Sequence, residues 1–129
     1  MAKRDEGKAL LDGLYGQLKG VINGSSQGVY LYLDDHHLVC NTKFARMLGY
    51  SSPAAWKSMG RTGFLNAFVA PSSQRKVVDA FWKAMKNKTA FCETVGWKKK
   101  SGATVRLTTI MVPISYKHEM FALHFVSKA

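Results

Sequence analysis

The side chains that could do chemistry in this chain are few, and their spacing assembles no recognisable catalytic site. Cys40 and Cys92 lack C-x-x-C or His/Cys spacing, so the sequence predicts neither a disulfide framework nor a zinc site. Asp34 and Asp35 are adjacent, and adjacent side chains of an extended backbone point apart, which argues against a hydrolytic pair. The sequence also lacks G-x-S-x-G and a phosphate-binding glycine-rich loop. We therefore predict no enzymatic activity and no metal site.

The histidines differ in their expected surroundings. His36, His37 and His118 fall in polar turns, where solvated side chains are the ordinary outcome. His124 lies in an apolar C-terminal run, with Ala122 on the same face of the expected strand. A histidine there is more often a satisfied core residue than a ligand. His124 is nevertheless our candidate for hydrogen-bonding a small molecule or for sensing pH.

Net charge is the unusual feature of the composition. The chain has 19 basic and 8 acidic residues, which gives +11 at pH 7. Such an excess favours contact with nucleic acid, acidic lipid or an acidic partner, and it is equally compatible with a solvated surface. The run Lys98–Lys100 lies at a predicted turn, and charged hairpin tips are ordinary. Binding to nucleic acid or another polyanion is therefore the alternative function.

Length and hydrophobicity indicate one globular domain. A chain of 129 residues with 47% hydrophobic content can bury roughly two-thirds of its unfolded surface. No run approaches the ~18–20 apolar residues that span a bilayer. The opening MAKRDEG leads into no signal-peptide core. We expect a cytoplasmic protein without a membrane span.

The elements that must position these side chains are organised around residues 28–50. Alternation from Val29 to Leu33 predicts a strand, the polar residues 34–37 a turn, and residues 38–40 a second strand. Asn41 can cap a short helix that ends at Gly49. Further on, the sequence predicts two short helices, a long helix with Val77, Phe81 and Met85 toward a sheet, and three strands. The alternation slips near residue 109, which indicates a bulge or two buried faces.

Residues 1–24 form a separate predicted unit, an amphipathic helix with its linker, and residues 25–129 form the domain that follows. Leu11, Leu14, Leu18 and Val21 follow a three-four-three spacing like that of a coiled coil. This apolar stripe has two interpretations: it packs on its own sheet, or it pairs with the same helix of a second chain. We favour pairing slightly and predict a homodimer.

The order of these residues resembles that of PAS domains. The signature N-x-x-F-x-x-x-L-G-Y-S is matched from Asn41 to Ser51, with Trp56 a short step on. The resemblance continues through Pro71, the long helix and the Lys-Lys-Ser-Gly turn, and it covers residues 28–126. It implies an α+β fold, in which a five-stranded antiparallel sheet carries helices over one face. It also implies a sensory or protein-pairing role in signal transduction, with a small molecule or a signalling partner protein as the stimulus.

The resemblance places ligand space between the helices and the sheet. Bulky residues that could line such a cavity are Trp56, Phe64, Phe68, Trp82, Met111, His124 and Phe125. The same side chains could instead fill it at ordinary packing density, and we expect a filled or small cavity.

The identity of any cofactor stays unknown, but two are disfavoured. Haem in this family would call for an axial histidine on or near the long helix, and residues 72–88 contain none. The covalent flavin adduct of the light-sensing branch needs a cysteine in G-R-N-C-R-F-L-Q. Residues 60–66 echo that motif without the cysteine, which leaves noncovalent flavin as a minor alternative.

Overall fold

The chain folds around a five-stranded antiparallel sheet of order β2-β1-β5-β4-β3. A computed structural model describes residues 2–60 and 63–129, with side chains from residue 6 onward, so the prediction of a break at residues 60–63 lies partly outside the described residues. The predicted fold class is confirmed. The elements in chain order are α1 Ala2–Gly24, β1 Gly28–Asp34, β2 His37–Cys40, α2 Thr42–Met47, α3 Pro53–Met59, α4 Phe64–Phe68, α5 Pro71–Asn87, β3 Phe91–Lys98, β4 Thr104–Tyr116 and β5 Glu119–Lys128.

Asn41 joins three of these elements. Its Oδ1 accepts from the backbone N–H of Phe44 at 2.8 Å, which caps α2, and from that of Val29 at 3.1 Å, at the start of β1. Its Nδ2 donates to the carbonyls of Ile22 at 2.7 Å and Gln27 at 3.0 Å. One buried side chain therefore ties the end of α1 and the linker after it to the hairpin and to α2. The sequence predicted the cap but not the other bonds.

The inner face of the sheet, toward α2–α5, carries an aromatic core. Trp56 stacks on Phe68 with ring centres 5.0 Å apart, and Phe44 stacks on Tyr30 at 4.8 Å. Trp97 meets Phe44 edge to face at 5.3 Å. Such ring pairs add roughly 0.5–1.5 kcal/mol each beyond their burial, so this cluster is a rigid support for the helices above it.

The opposite, outer face of the sheet is covered by α1. Leu11, Leu14 and Ile22 are buried there in one cluster with sheet residues such as Leu31 and Leu123. The assignment of Leu11 and Leu14 to a second chain is therefore wrong, because the outer face of β1 and β5 is apolar and takes them within the chain. Leu18 is only partly buried in this cluster, and Val21 is 52% exposed.

The long strand β4 is regular, without the bulge that its sequence allowed. It pairs with β5 in one register from Leu107↔Lys128 to Tyr116↔Glu119, so the apolar run near residue 109 simply serves two buried faces. Pro113 lies inside the strand, opposite Ala122. The pairing of β4 with β3 stops at Met111, so the missing N–H of Pro113 removes no ladder bond on that side.

Helix α5 lies over the β3 side of the sheet and protects its edge. Ser73, Ala80 and Ala84 are its buried residues. The Ser73 Oγ accepts from the N–H of Gly96 at 2.9 Å, and the N–H of Ala70 donates to the carbonyl of Gly96 at the same distance. In the described part of the chain, no helix has the length and apolar character needed to cross a membrane.

Candidate ligand cavity

A cavity of about 430 Å³ lies between the inner face of the sheet and helices α4 and α5. It is larger than the filled or small cavity that the sequence led us to expect. Trp82 at its rim is 65% exposed, so the cavity reaches the protein surface. The residues that line it are Tyr30, Tyr32, Asp35, Gly63, Phe64, Leu65, Asn66, Gln74, Val77, Val78, Phe81, Trp82, Met111 and His124.

His124 is the buried polar group of the cavity wall. It is 3% exposed, and its ring stacks on Tyr30 with ring centres 3.8 Å apart and planes 6° from parallel. Its Nδ1 has no hydrogen-bond partner among the described residues. Burial lowers the pKa of His124 to about 3, so the imidazole is neutral at pH 7. Hydrogen bonds to the backbone of Tyr30 and Ala122 oppose this lowering of the pKa only in part. A neutral imidazole in a cavity wall can donate a hydrogen bond to a ligand or accept one.

Tyr32 and Asp35 form the polar part of the wall. The Tyr32 hydroxyl donates to Asp35 Oδ1 at 2.5 Å. Burial, and then this hydrogen bond to Asp35, raise the pKa of Tyr32 well above its usual value. Asp35 is partly buried, and apart from His124 and the two tyrosines it is the only titratable residue among the described residues of the lining. From the sequence we expected only His124 as a titratable residue on this side. Tyr32 and Asp35 were not predicted, because they lie at the end of a strand and in a turn.

The opposite wall is held by Gln74 of α5. Its Nε2 donates to the carbonyls of Leu65 at 3.3 Å and Val69 at 3.2 Å, which ties α5 to α4. Phe81, two helical turns further along the face of α5, meets Tyr32 edge to face at 5.9 Å. These contacts fix the distance between the helices and the sheet, and so the width of the cavity.

Four of the seven residues predicted to line a cavity do line it: Phe64, Trp82, Met111 and His124. Trp56 and Phe68 lie behind Phe64 in the inner core, where both are fully buried.

The assignment of Phe125 to the cavity is wrong. Successive residues of β5 alternate between faces, and Phe125 points to the α1 side when His124 points inward. Trp56 also has an unpartnered buried atom, Nε1, but Trp56 does not belong to the cavity lining.

The described lining offers no thiol. Cys40 is buried in β2 and Cys92 is exposed on β3, and neither lines the cavity. Within the part of the chain that the structure describes, no three His, Cys, Asp or Glu side chains gather as metal ligands. The described lining residues are suited to noncovalent binding of a ligand through aromatic rings, one imidazole and one carboxylate.

Comparison with known proteins identifies the class of domain that this fold and cavity define. The sequence model of the PAS fold matches residues 37–125. The chain therefore belongs to the PAS family, whose fold is a sensory and non-catalytic one. No curated protein matches its sequence.

Solved structures of PAS domains share the fold at low identity. The chain superposes on the PAS domain of a Colwellia psychrerythraea protein with a TM-score of 0.69 and 15% identity, over 90% of this chain and 97% of the other. A PAS domain from a two-component sensor histidine kinase gives 0.64 and 13%, over 92% and 98%. A light-oxygen-voltage domain studied with a flavin analogue gives 0.62 and 16%, over 91% and 84%. At these identities the likenesses show that the fold is shared.

Proposed function

We propose that this PAS domain is a sensor that holds a small molecule in the cavity between the sheet, α4 and α5. The observation that carries the proposal is a cavity of about 430 Å³ that is lined by aromatic rings and by the buried His124. A neutral imidazole can donate or accept a hydrogen bond, and such a bond contributes roughly 0.5–1.5 kcal/mol. The aromatic lining adds the burial of the ligand's apolar surface.

The signal leaves the cavity through β5 and the helix on the other face. His124 faces the cavity, whereas its neighbours Leu123 and Phe125 pack in the outer cluster with α1. A ligand that shifts β5 therefore changes the packing of α1, and with it the surface offered to a signalling partner protein.

Mass spectrometry of the purified protein tests ligand binding. We expect the native mass to exceed the denatured mass by that of a bound small molecule. Val78→Trp puts an indole into the cavity from the partly buried Val78 and should remove the extra mass, whereas Val21→Trp on α1 should not. An unmodified native mass, together with unchanged melting across a small-molecule library, would contradict the proposal.

The chain pairs with a second copy through the exposed end of α1. Val21 is 52% exposed and Leu18 is partly buried, next to the outer face of the sheet, where Phe125 is also only partly buried. Deletion of residues 1–24 would uncover the outer core, so a point variant is the cleaner test. We expect Val21→Asp to lower the mass measured by light scattering toward one chain, and Lys19→Asp to leave it unchanged. Equal masses for wild type and Val21→Asp would exclude this surface.

The cavity ligand is neither haem nor a covalently attached flavin. No histidine lies on α5, and neither cysteine lines the cavity. An absorption spectrum of the purified protein, which shows either chromophore directly, checks this part of the proposal.

The second candidate function is contact with a polyanion. The N–H of Lys100 donates to the carbonyl of Leu48 at 2.7 Å, which holds the basic turn against the end of α2. Arg46 is exposed at that end of α2, and Lys43 is exposed at its start. Anisotropy titrations with single-stranded and duplex oligonucleotides at several salt concentrations test it. Affinity that falls steeply with salt and drops in Lys100→Glu, but not in Lys19→Glu, would support it.

A further inference from the structure

We propose that the cavity takes a flat aromatic molecule with an uncharged hydrogen-bonding group at its buried end and no negative charge. This inference rests on the proposed function, since it names the chemistry of the ligand for the same cavity. Three features of the wall carry it: the arrangement of rings, the buried imidazole and the carboxylate of Asp35.

The rings of the wall favour a flat aromatic ligand. Tyr32 meets both Phe64, at 5.3 Å and 71°, and Phe81, at 5.9 Å and 85°, so ring faces and ring edges both border the cavity. Aromatic pairs prefer offset-stacked or edge-to-face contacts, and a planar guest can make both here. Trp82 leaves a large aromatic surface in water at the rim. A ring that covers this indole removes that surface from solvent.

The buried end of the cavity selects a neutral hydrogen-bonding group. His124 stacks on Tyr30, both residues are at most 3% exposed, and both line the cavity. A charged group placed beside these two rings would lose its hydration without gaining an opposite charge. A hydroxyl can donate to or accept from the imidazole, whichever nitrogen carries the proton.

Asp35 disfavours an anion, although the whole chain is strongly basic. Its Oδ1 already accepts from Tyr32, and the carboxylate lines the cavity together with Trp82. Among the described residues, Lys98 is a nearby cation: its Nζ donates to the carbonyl of Asn66 at 2.7 Å, and Lys98 is not part of the lining. A ligand carboxylate would therefore meet like charge at the wall, and the net charge of +11 misleads about this site.

Four naphthalene probes of similar size test the inference by equilibrium dialysis near pH 7.5: naphthalene, 2-naphthol, 2-naphthoate and 2-naphthylmethylammonium. We expect 2-naphthol to bind about five- to tenfold more tightly than naphthalene, as one hydrogen bond of ~1 kcal/mol predicts. The ammonium probe should bind more tightly than 2-naphthoate. Equal binding of all four probes, or a preference for 2-naphthoate, would overturn the ligand class.

Variants assign these preferences to single groups. His124→Phe should remove the advantage of 2-naphthol over naphthalene, and Asp35→Asn should raise the affinity for 2-naphthoate several-fold. Asp79→Asn, an exposed acid on α5, should change neither ratio. If His124→Phe does not fold, the order of the four probe affinities for the wild type and the effect of Asp35→Asn still test the ligand class. Unchanged probe binding by Val78→Trp would place the probes elsewhere and overturn the inference. Failure of all four probes to bind the wild type would instead reject the cavity as a ligand site, and with it the proposed function.

Discussion

Replacement of Asn41 by alanine should destabilise this domain far more than the loss of an ordinary helix cap. Asn41 is 3% exposed and makes four hydrogen bonds to the backbone of α1, the linker, β1 and α2. Loss of the cap costs about 1 kcal/mol. The N–H of the fully buried Val29 would also lose its partner, and such a group costs roughly 1–3 kcal/mol. With the two carbonyls left unpaired, we expect a total near 4 kcal/mol.

Urea unfolding followed by circular dichroism measures this loss. At a slope near 2 kcal/mol/M, which is ordinary for a small domain, a loss of about 4 kcal/mol lowers the midpoint by about 2 M. Ser52→Ala is the matched comparison, because the Ser52 Oγ accepts only the cap bond from Ala55, at 3.1 Å. It should lower the midpoint by about 0.5 M. Asn87→Ala, at the exposed end of α5, should lower it least.

The losses of unfolding free energy in Asn41→Ala and Ser52→Ala show whether Asn41 is more than a helix cap. If Asn41→Ala costs no more than Ser52→Ala, the bonds from Asn41 to Ile22 and Val29 contribute nothing beyond a cap. The view that one side chain couples α1 to the hairpin would then be refuted.

Three further outcomes follow from burial and close contact. The pKa of His124 is lowered to about 3 from 6.5, so the unfolded chain takes up a proton as pH falls below 6.5 and the free energy of unfolding decreases. Between pH 6.5 and 4.5 in urea titrations, the free energy of unfolding of His124→Phe should therefore fall by about 2 kcal/mol less than that of wild type. Parallel curves for the two proteins would contradict this. Cys92 is exposed and should react with a thiol reagent in the native protein. Cys40 is buried, and burial raises its pKa to about 12, so it should react only on unfolding. Equal reaction rates of the two thiols in the native protein would contradict the burial of Cys40. Gly28→Ala should lower the free energy of unfolding by about 1–3 kcal/mol, because the added Cβ would lie 3.1 Å from the Cα of Phe44. Thermal melting measures this loss, and an unchanged melting temperature would show that α2 can move away from the added methyl group.

The fold could be predicted from the sequence because its signals are local. Asn41 fixes a helix start through a bond to neighbouring backbone, and Gly49 fixes a helix end through a positive φ; both were predicted from the sequence. Strand alternation likewise placed His124 on the helix side. Phe125 was assigned to the cavity because its side chain is large. Its position next to His124 in the strand already placed it on the opposite face of the sheet.

The cavity could be predicted only in part, because it depends on groups that meet across the chain. Asp35 and Gln74 carry no local signal, and they enter the wall only after the hairpin and α5 have packed on the sheet. The position of α1 was equally hard to predict, because it also depends on contacts between distant parts of the chain. Its apolar stripe fits a second chain as well as its own sheet, and only the apolar outer face of β1 and β5 decides between them for Leu11 and Leu14.

The first turns of α5, with Ala70 just before them, have a consequence for aggregation. Open sheet margins recruit strands from other molecules, and β3 forms one margin of this sheet. There the carbonyl of Thr94 accepts from Lys76, while Ala70 and Ser73 occupy the carbonyl and N–H of Gly96. An incoming strand would have to displace all three, so fibril growth by edge addition is disfavoured at β3.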